Sequence, residues 1–484
     1  MRLIIFTFAI LNYGNSLKIL LYNSGFGHSH MRFMGSIADI LLEAGHHVTE
    51  IRTTMDPGLK WEGISNSKDI HVYGPDAEVE ALMMLVNMTQ MLVRSCEHAV
   101  FETDLLEKLK TQDFDLGITE ALDPCGLAIF HLLNLKTWVS ASSSNLLEHQ
   151  AVLLGVPLVP SYVPGPMGAS SDRMTLFDRA LNAVSMYFGS KVFVDIFAAS
   201  TENFRKHLGK DFVDISSLIP KSALFFTNSQ SLIDFPKPTL HKVIDVGGIH
   251  LKEGDAEKLD ANWEKILKNR PKTVLISFGS AVKSWRMPES FKKAIIQAVK
   301  EIPDVQFIWK YEKDDLTAWG LPENLHLSKW TPQNALLADP RLSLFITHGG
   351  LGSTTEIAYS GTPAIVIPLF ADQHRNAQVL LRHGATEKMN RFDLSSSEKI
   401  KATIRKFLDD PSYDRKAKDL ATMLKNAPFK PKELLLRNIE FVGRYGALPQ
   451  LDPYGRHLSF VEYYLLDIIG ILRFLVPTMI QEAL

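Results

Sequence analysis

Cysteine is nearly absent from this 484-residue chain; Cys96 and Cys125 are the only two. Two thiols cannot build a disulfide framework or a cysteine metal cluster. A pair of buried free thiols is the expectation, with a single bridge as the alternative. A charge excess is absent as well, since 52 basic and 54 acidic side chains leave a formal net charge of −2. No basic field exists to hold nucleic acid, so an anionic ligand has to be met locally by backbone N–H groups and helix N-termini. No unbroken apolar run reaches the ~20 residues that a membrane-spanning helix requires. The fingerprint of a dinucleotide cofactor is also incomplete. Gly25-Phe26-Gly27 follows a strand-like run, but the third glycine and the acidic residue about 20 positions on are missing. What is present is a 46% hydrophobic content, sufficient to bury real cores in about two or three domains.

The two ends carry special signals. Met1-Arg2 is a short positive stretch, Leu3 to Leu11 is apolar, and Gly14-Asn15-Ser16 supplies small residues for cleavage. This pattern predicts a signal peptide over residues 1–16 and entry into the secretory pathway. Asn87-Met88-Thr89 then makes Asn87 an available glycosylation acceptor. Leu458 to Ile480 is strongly apolar and holds Tyr463-Tyr464, but Glu462, Asp467 and Arg473 interrupt it. Charges at a bilayer centre cost about 2.5–3.5 kcal/mol each on insertion scales. The tail 453–484 is expected to anchor to or lie on a membrane, with packing on the protein as the alternative.

Between the ends, strand and helix signals alternate. Lys18 to Asn23 is an apolar run ending in the turn Ser24-Gly25-Phe26-Gly27; Phe33, Met34, Ile37, Ile40, Leu41 and Ala44 recur at helical spacing; Gly45 stops the helix, and His47 to Ile51 begins another strand. This βαβ pattern predicts a parallel sheet. Residues 156 to 170 are rich in Pro and Gly, and 174 to 208 read as helical cover containing Met174, Phe177, Met186, Tyr187 and Phe188. The Gly pair in Val246-Gly247-Gly248-Ile249, followed by a charged stretch, marks a boundary, after which the alternation restarts with Thr273 to Ser277. The expectation is an α/β chain of two doubly wound domains, 17–245 and 246–452, facing each other across a cleft at the carboxyl ends of their strands.

The second half holds the most informative segment, Trp330 to Gln373. Thr347-His348-Gly349-Gly350-Leu351-Gly352-Ser353 joins a strand to a helix expected to start near Ser353. Its glycines let backbone amides approach a diphosphate, and the helix N-terminus favours negative charge there. Ser353 and Glu356 have capping-box spacing, so Glu356 either caps its own helix or accepts ribose hydroxyls. Trp330, just before Pro332-Gln333, is either a core residue or a stacking surface for a base. Asp372-Gln373 follows the buried run Ile365 to Phe370; it suits sugar hydroxyls, or Asp372 caps the next helix. Ser277-Phe278-Gly279-Ser280 is a second strand-to-turn element that can face the same diphosphate.

Together these segments resemble the UDP-glycosyltransferases, most closely the UDP-glucuronosyltransferases of animals. The resemblance extends to Pro160-Ser161-Tyr162-Val163-Pro164, Val246-Gly247-Gly248 and Phe278-Gly279-Ser280. It implies the GT-B fold, two facing Rossmann-like domains, with a UDP-sugar in the C-terminal one. Carried over by position, Trp330 and Gln333 would hold the uridine and Glu356 the ribose. Ser280, His348, Gly350, Gly352 and Ser353 would surround the diphosphate, and Asp372 and Gln373 the sugar. Many members have Asn where this chain has Gly352. The resemblance also implies an endoplasmic reticulum membrane location with lumenal catalytic domains; a secreted or soluble lumenal protein is the alternative.

On the other side of the cleft, His30 opens the first predicted helix and Glu120 closes the strand Leu116 to Thr119. A helix N-terminus disfavours an imidazolium, whereas a carboxylate behind the ring favours it; together they suit a base that cycles. By resemblance His30 falls at the family's catalytic base, with His28 as rival, and Glu120 where vertebrate members usually have Asp. The expected reaction is inverting transfer of a glucuronosyl or glucosyl group to a hydroxyl of a small lipophilic acceptor, the apolar cover near 174 to 193 being expected to receive it, with plain core packing as the alternative for each residue. Neither metal nor cofactor is expected. A homo-oligomer and a binding protein without turnover remain open.

Overall fold

The computed structural model describes residues 16–55, 61, 63–73, 81–101, 103–251, 258–280 and 282–473. The expected signal peptide lies outside them, apart from Ser16. Two parallel sheets organise the chain. The first contains β1 (Lys18–Gly25), β2 (His47–Thr54), β3 (Asp69–Tyr73), β4 (Leu116–Glu120), β5 (Trp138–Ser142), β6 (Phe225–Thr227) and β7 (Val243–Asp245) in the order β3-β2-β1-β4-β5-β6-β7. The second contains β8 (Lys272–Ser277), β9 (Val305–Lys310), β10 (Leu325–Ser328), β11 (Leu342–Thr347), β12 (Ala364–Val366) and β13 (Thr386–Lys388) in the order β10-β9-β8-β11-β12-β13.

Both faces of each sheet are covered, which explains why the strands read as continuous apolar runs. Along β1, Leu20 and Tyr22 enter one core while Ile19 and Leu21 enter the core on the opposite face. Along β8, Val274 and Ile276 are divided from Leu275 in the same way. In each sheet the strand order reverses once, between β1 and β4 and between β8 and β11. A crevice opens at such a switch point, beyond the strand carboxyl ends. The helix His28–Glu43 follows β1 at the first crevice, and the helix Leu351–Ser360 follows β11 at the second. The helix Pro431–Tyr445 then returns to the first sheet, where Leu435, Ile439 and Val442 share a core with Leu17, Ile19 and Phe33.

Three expectations are corrected. Cys96 and Cys125 are joined as a disulfide. Composition alone could not see that the helices Ala81–Phe101 and Pro124–Leu132 bring them together. The donor-side helix starts at Leu351 rather than near Ser353, with Gly350 as its N-cap residue. Of the apolar residues on the long helix Leu176–Leu208, Phe177, Tyr187 and Phe188 face solvent, whereas Met186 is buried. An apolar residue on a long helix need not point into a pocket when apolar positions run all around it.

Among the described residues no helix is long and apolar enough to cross a membrane. Phe460, Val461, Tyr464, Leu465, Ile468, Ile469 and Leu472 of the tail are nonetheless exposed. Asn87 lies within the helix Ala81–Phe101.

Candidate active site

The candidate catalytic wall gathers residues from three parts of the first domain. His30 sits in the first turn of its helix and is partly exposed. Its Nδ1 lies 2.5 Å from Ser143 Oγ, just after the end of β5. Glu120 is fully buried at the end of β4, and its Oε2 stands 3.9 Å from the same Nδ1. The carboxylate expected behind the ring is there, but the hydrogen bond to Nδ1 is made by Ser143. Ser143 N in turn donates to Glu120 Oε1 at 3.2 Å, as does Leu122 N at 3.4 Å. Glu120 Oε2 has no hydrogen-bond partner. An unshared carboxylate oxygen beside the ring places its charge where an imidazolium would form. With Nδ1 engaged, the far ring nitrogen, Nε2, remains for a ligand.

His28, the rival base, is placed differently. Its ring stands 6.1 Å from that of Trp330 in the other domain. Burial lowers its pKa, and Arg32, Lys310 and Lys283 lower it further. It stands across from the donor wall.

The donor wall lies on the second domain. Trp330 is 59% exposed, so it is no core residue. Lys310 Nζ, at the end of β9, lies 4.7 Å from its ring centroid and donates to Gly279 O at 2.8 Å. Gln333 Nε2 donates to Ser353 Oγ at 3.0 Å and to Glu356 Oε2 at 2.5 Å. Glu356 therefore does not cap its own helix. Asn334, oriented to satisfy both neighbours, donates to Glu356 Oε1 at 2.7 Å and accepts from Arg32 Nη2 of the first domain at 3.3 Å. Burial pushes the Glu356 carboxyl up to about 7, against the lowering effects of Gln333 and Arg32.

The Gly-rich turns hold His348. A Cβ on Gly279 would stand 2.5 Å from His348 Cε1, and one on Gly350 would stand 2.8 Å from Nε2. The glycines are needed here so that the imidazole fits between two turns. Burial and the nearby Lys310 ammonium push His348 down to about 4, so its ring is neutral near pH 7. Its Nδ1 has no partner. Gly352 faces open space; a Cβ at that position would meet nothing within 4 Å. Ser280 is partly exposed on the turn after β8.

Asp372 is the N-cap residue of the helix Gln373–Leu381, but its side chain makes no capping bond. Its Oδ2 accepts from Asn376 Nδ2 at 2.8 Å, and the same amide donates to Gly349 O at 3.0 Å. Burial raises the Asp372 pKa, while Asn376 and the charge of His30 lower it. Gln373 Oε1 accepts from Leu369 N and Phe370 N, leaving its NH2 end for a ligand.

Sequence reading missed Ser143, Lys310, Asn334 and Arg32. Lys310 carried a usable signal, a lone charge closing the apolar run Gln306 to Lys310. Ser143 is one of several serines in Ser140-Ala141-Ser142-Ser143-Ser144, and nothing in the run singles it out. Among the described residues no cluster of three or more His, Cys, Asp or Glu side chains could hold a metal ion.

The family model described as UDP-glucoronosyl and UDP-glucosyl transferase matches residues 64–483. The chain belongs to that family. It is a glycosyltransferase that uses a UDP-sugar, with the GT-B fold. Mouse UDP-glucuronosyltransferase 2B17 is 29% identical over 493 residues, covering 96% of this chain and 91% of the mouse protein. Rabbit UDP-glucuronosyltransferase 2B16 is 28% identical over 490 residues, covering 95% and 91%. The solved glycosyltransferase of kitacinnamycin superposes on this glycosyltransferase with a TM-score of 0.61 at 16% identity, covering 89% of this chain and 99% of the other. The calicheamicin glycosyltransferase CalG4 gives 0.59 at 14%, covering 89% and 100%.

Proposed function

We propose that this glycosyltransferase moves a glucuronosyl or glucosyl group, with inversion, to a hydroxyl of a small lipophilic acceptor, and that His30 is the general base. The observation that carries this reading is the placement of His30, held at Nδ1 by Ser143 and backed by the buried charge of Glu120. The acceptor O–H gives its proton to Nε2. Its oxygen attacks the anomeric carbon from the face opposite UDP, the bond to the β-phosphate oxygen breaks, and UDP leaves with the electron pair. Glu120 and Ser143 keep the ring oriented while it is charged.

In this reading one face of Trp330 stacks on uracil, and Gln333 stands beside it. Glu356 exchanges its bonds to Gln333 and Asn334 for ribose hydroxyls. The leaving charge meets backbone N–H groups at Gly350, Gly352 and Ser353, the Ser280 hydroxyl, neutral His348 and the Lys310 ammonium. Asp372 and the Gln373 amide take the sugar hydroxyls. No step is assigned to a metal or cofactor. The disulfide fits an oxidising, lumenal compartment. The exposed apolar residues of the tail from Phe460 to Leu472 and those on the outside of the helix Leu176–Leu208 fit association with a membrane surface.

The test is release of UDP from UDP-glucuronate or UDP-glucose with hydrophobic and polar alcohols, and the anomeric configuration of the product. Donor competition identifies the sugar. Wild-type turnover retained by His30→Ala, or a product of retained configuration, would end the reading.

A further inference from the structure

The helix Gln373–Leu381 does two jobs. Its start carries Asp372 and Gln373, which the proposed reading turns toward the sugar. One of its sides is bolted to the first domain through Arg375, Gln378 and Arg382, which recur at helical spacing. Arg375 is 2% exposed. Its Nη2 donates to Asp234 Oδ1 at 2.6 Å, its Nε donates to Pro164 O at 3.4 Å, and its guanidinium lies 5.4 Å from the Phe235 ring centroid. Gln378 Nε2 donates to Ala169 O at 3.1 Å, and Arg382 Nη1 to Asp234 O at 3.0 Å.

Asp234 is a prepared socket. Ser229 Oγ and Lys237 Nζ hold its Oδ2 at 2.8 and 2.7 Å. Burial by itself would raise its pKa, but Arg375 and Lys237 outweigh that and hold it well below the carboxylate range. Next to Arg375 in sequence, Asn376 binds both Asp372 and Gly349 of the donor turn. Two adjacent side chains thus tie the sugar-facing carboxylate to the donor turn on one side and to the His30 domain on the other.

We propose that Arg375 is a positioning residue that sets where Asp372 and Gln373 stand relative to His30, and so aligns the donor sugar with the base. This rests on the reading in the preceding subsection. In that reading uridine falls to Trp330, Gln333 and Glu356, whereas the partners of Arg375 are Asp234, Pro164 and Phe235. Its loss should therefore separate sugar alignment from nucleotide binding.

In Arg375→Met, kcat/KM for the UDP-sugar is expected to fall at least tenfold while the Kd for UDP alone stays within twofold of wild type. Arg375→Lys, which keeps the charge but not the fork, should recover part of the loss. The triple variant Arg375→Met/Asp234→Leu/Lys237→Met replaces Asp234 together with both of its charged partners by apolar residues, an exchange that often preserves stability. It should melt near wild type and still show the tenfold defect. Recovery of wild-type kcat/KM in the triple variant would reduce the cluster to a structural role and overturn the proposal. So would unchanged kcat/KM in Arg375→Met, or a parallel loss of UDP affinity in Arg375→Lys. Absence of turnover in the wild-type protein would instead sink the preceding reading.

Discussion

The two walls of the cleft are built on opposite plans. The catalytic wall is short of internal partners at the point of use: His30 keeps one nitrogen free and Glu120 Oε2 is unshared. On the donor wall the two carboxylates are already held. Glu356 is held by Gln333 and Asn334, and Asp372 by Asn376. In the proposed reading the difference follows from what each wall must do. A base has to be ready before its substrate arrives, because reorienting it during reaction would add to the barrier. Binding carboxylates that wait in a buried cleft need interim partners, because an unpaired buried charge is costly. Ligand binding on the donor wall is then an exchange of hydrogen bonds, and only the surplus appears as affinity.

The largest effect should come from the ready wall. His30→Ala is expected to lower kcat by about 10²–10⁴-fold, the range for losing a general base, with UDP affinity unchanged. Ser143→Ala should cost less, since Glu120 still faces the ring at 3.9 Å. Single-turnover rates with UDP-binding controls would check both. Equal losses in UDP affinity and kcat would remove the distinction between the walls.

The catalytic wall is also the one with a covalent staple. The Cys96–Cys125 bridge spans 29 residues, and Cys125 N donates to Asp123 Oδ1, whose other oxygen accepts from Tyr22 and Ser24. That network sits just after Glu120. Closing a loop of this length stabilises a fold by about 3–4 kcal/mol in the chain-entropy model. Cys96→Ser/Cys125→Ser should therefore melt several degrees lower in calorimetry. Its turnover should fall more steeply with temperature than its UDP binding, because the donor wall is on the unstapled domain.

The same contrast explains what could be read from sequence. The donor wall is one nearly continuous segment, Trp330 to Gln373, so its order along the chain displays the site. Its departures were local: the helix began two residues early, and Glu356 turned to Gln333 rather than to its own N-terminus. The catalytic wall is assembled by the sheet. β1 pairs with β4, and β4 with β5, which brings His30, Glu120 and Ser143 to one rim. Positions of His30 and Glu120 at strand exits were legible as a rim. Which serine would stand between them was not, because a 2.5 Å contact depends on the pitch of a turn. The disulfide was hidden for the same reason, and so was Arg375, whose partners lie 141 and 211 residues away.

A smaller effect is expected at the exposed edge of the donor wall. Trp330→Ala removes a stacking face worth about 1–3 kcal/mol per base, so KM for the UDP-sugar should rise by roughly fivefold to a hundredfold with kcat little changed. Competition by uridine against a nucleotide with a purine base would show whether selectivity is lost with the ring.

The smallest effect tests the hydrogen-bond exchange itself. Glu356 has a folded pKa of about 7 against an ordinary 4.5, because burial penalises its charge. The folded chain therefore holds this proton more tightly than the unfolded chain, and Glu356 withdraws stability as pH rises from about 4.5 to 7. Ribose hydroxyls donating to the carboxylate favour its charged form. UDP should accordingly bind more tightly at pH 8 than at pH 6, by about tenfold at most for one unit of linked shift. Glu356→Gln should weaken UDP binding by about tenfold at pH 8, the loss of a hydrogen bond to a charged group, and should flatten the pH dependence. Calorimetric titration of UDP from pH 5.5 to 8.5 reads both. A wild-type affinity that does not change with pH, or a Gln variant that keeps the slope, would mean that the ribose leaves the Gln333–Glu356 pair intact and that the donor wall binds without exchange.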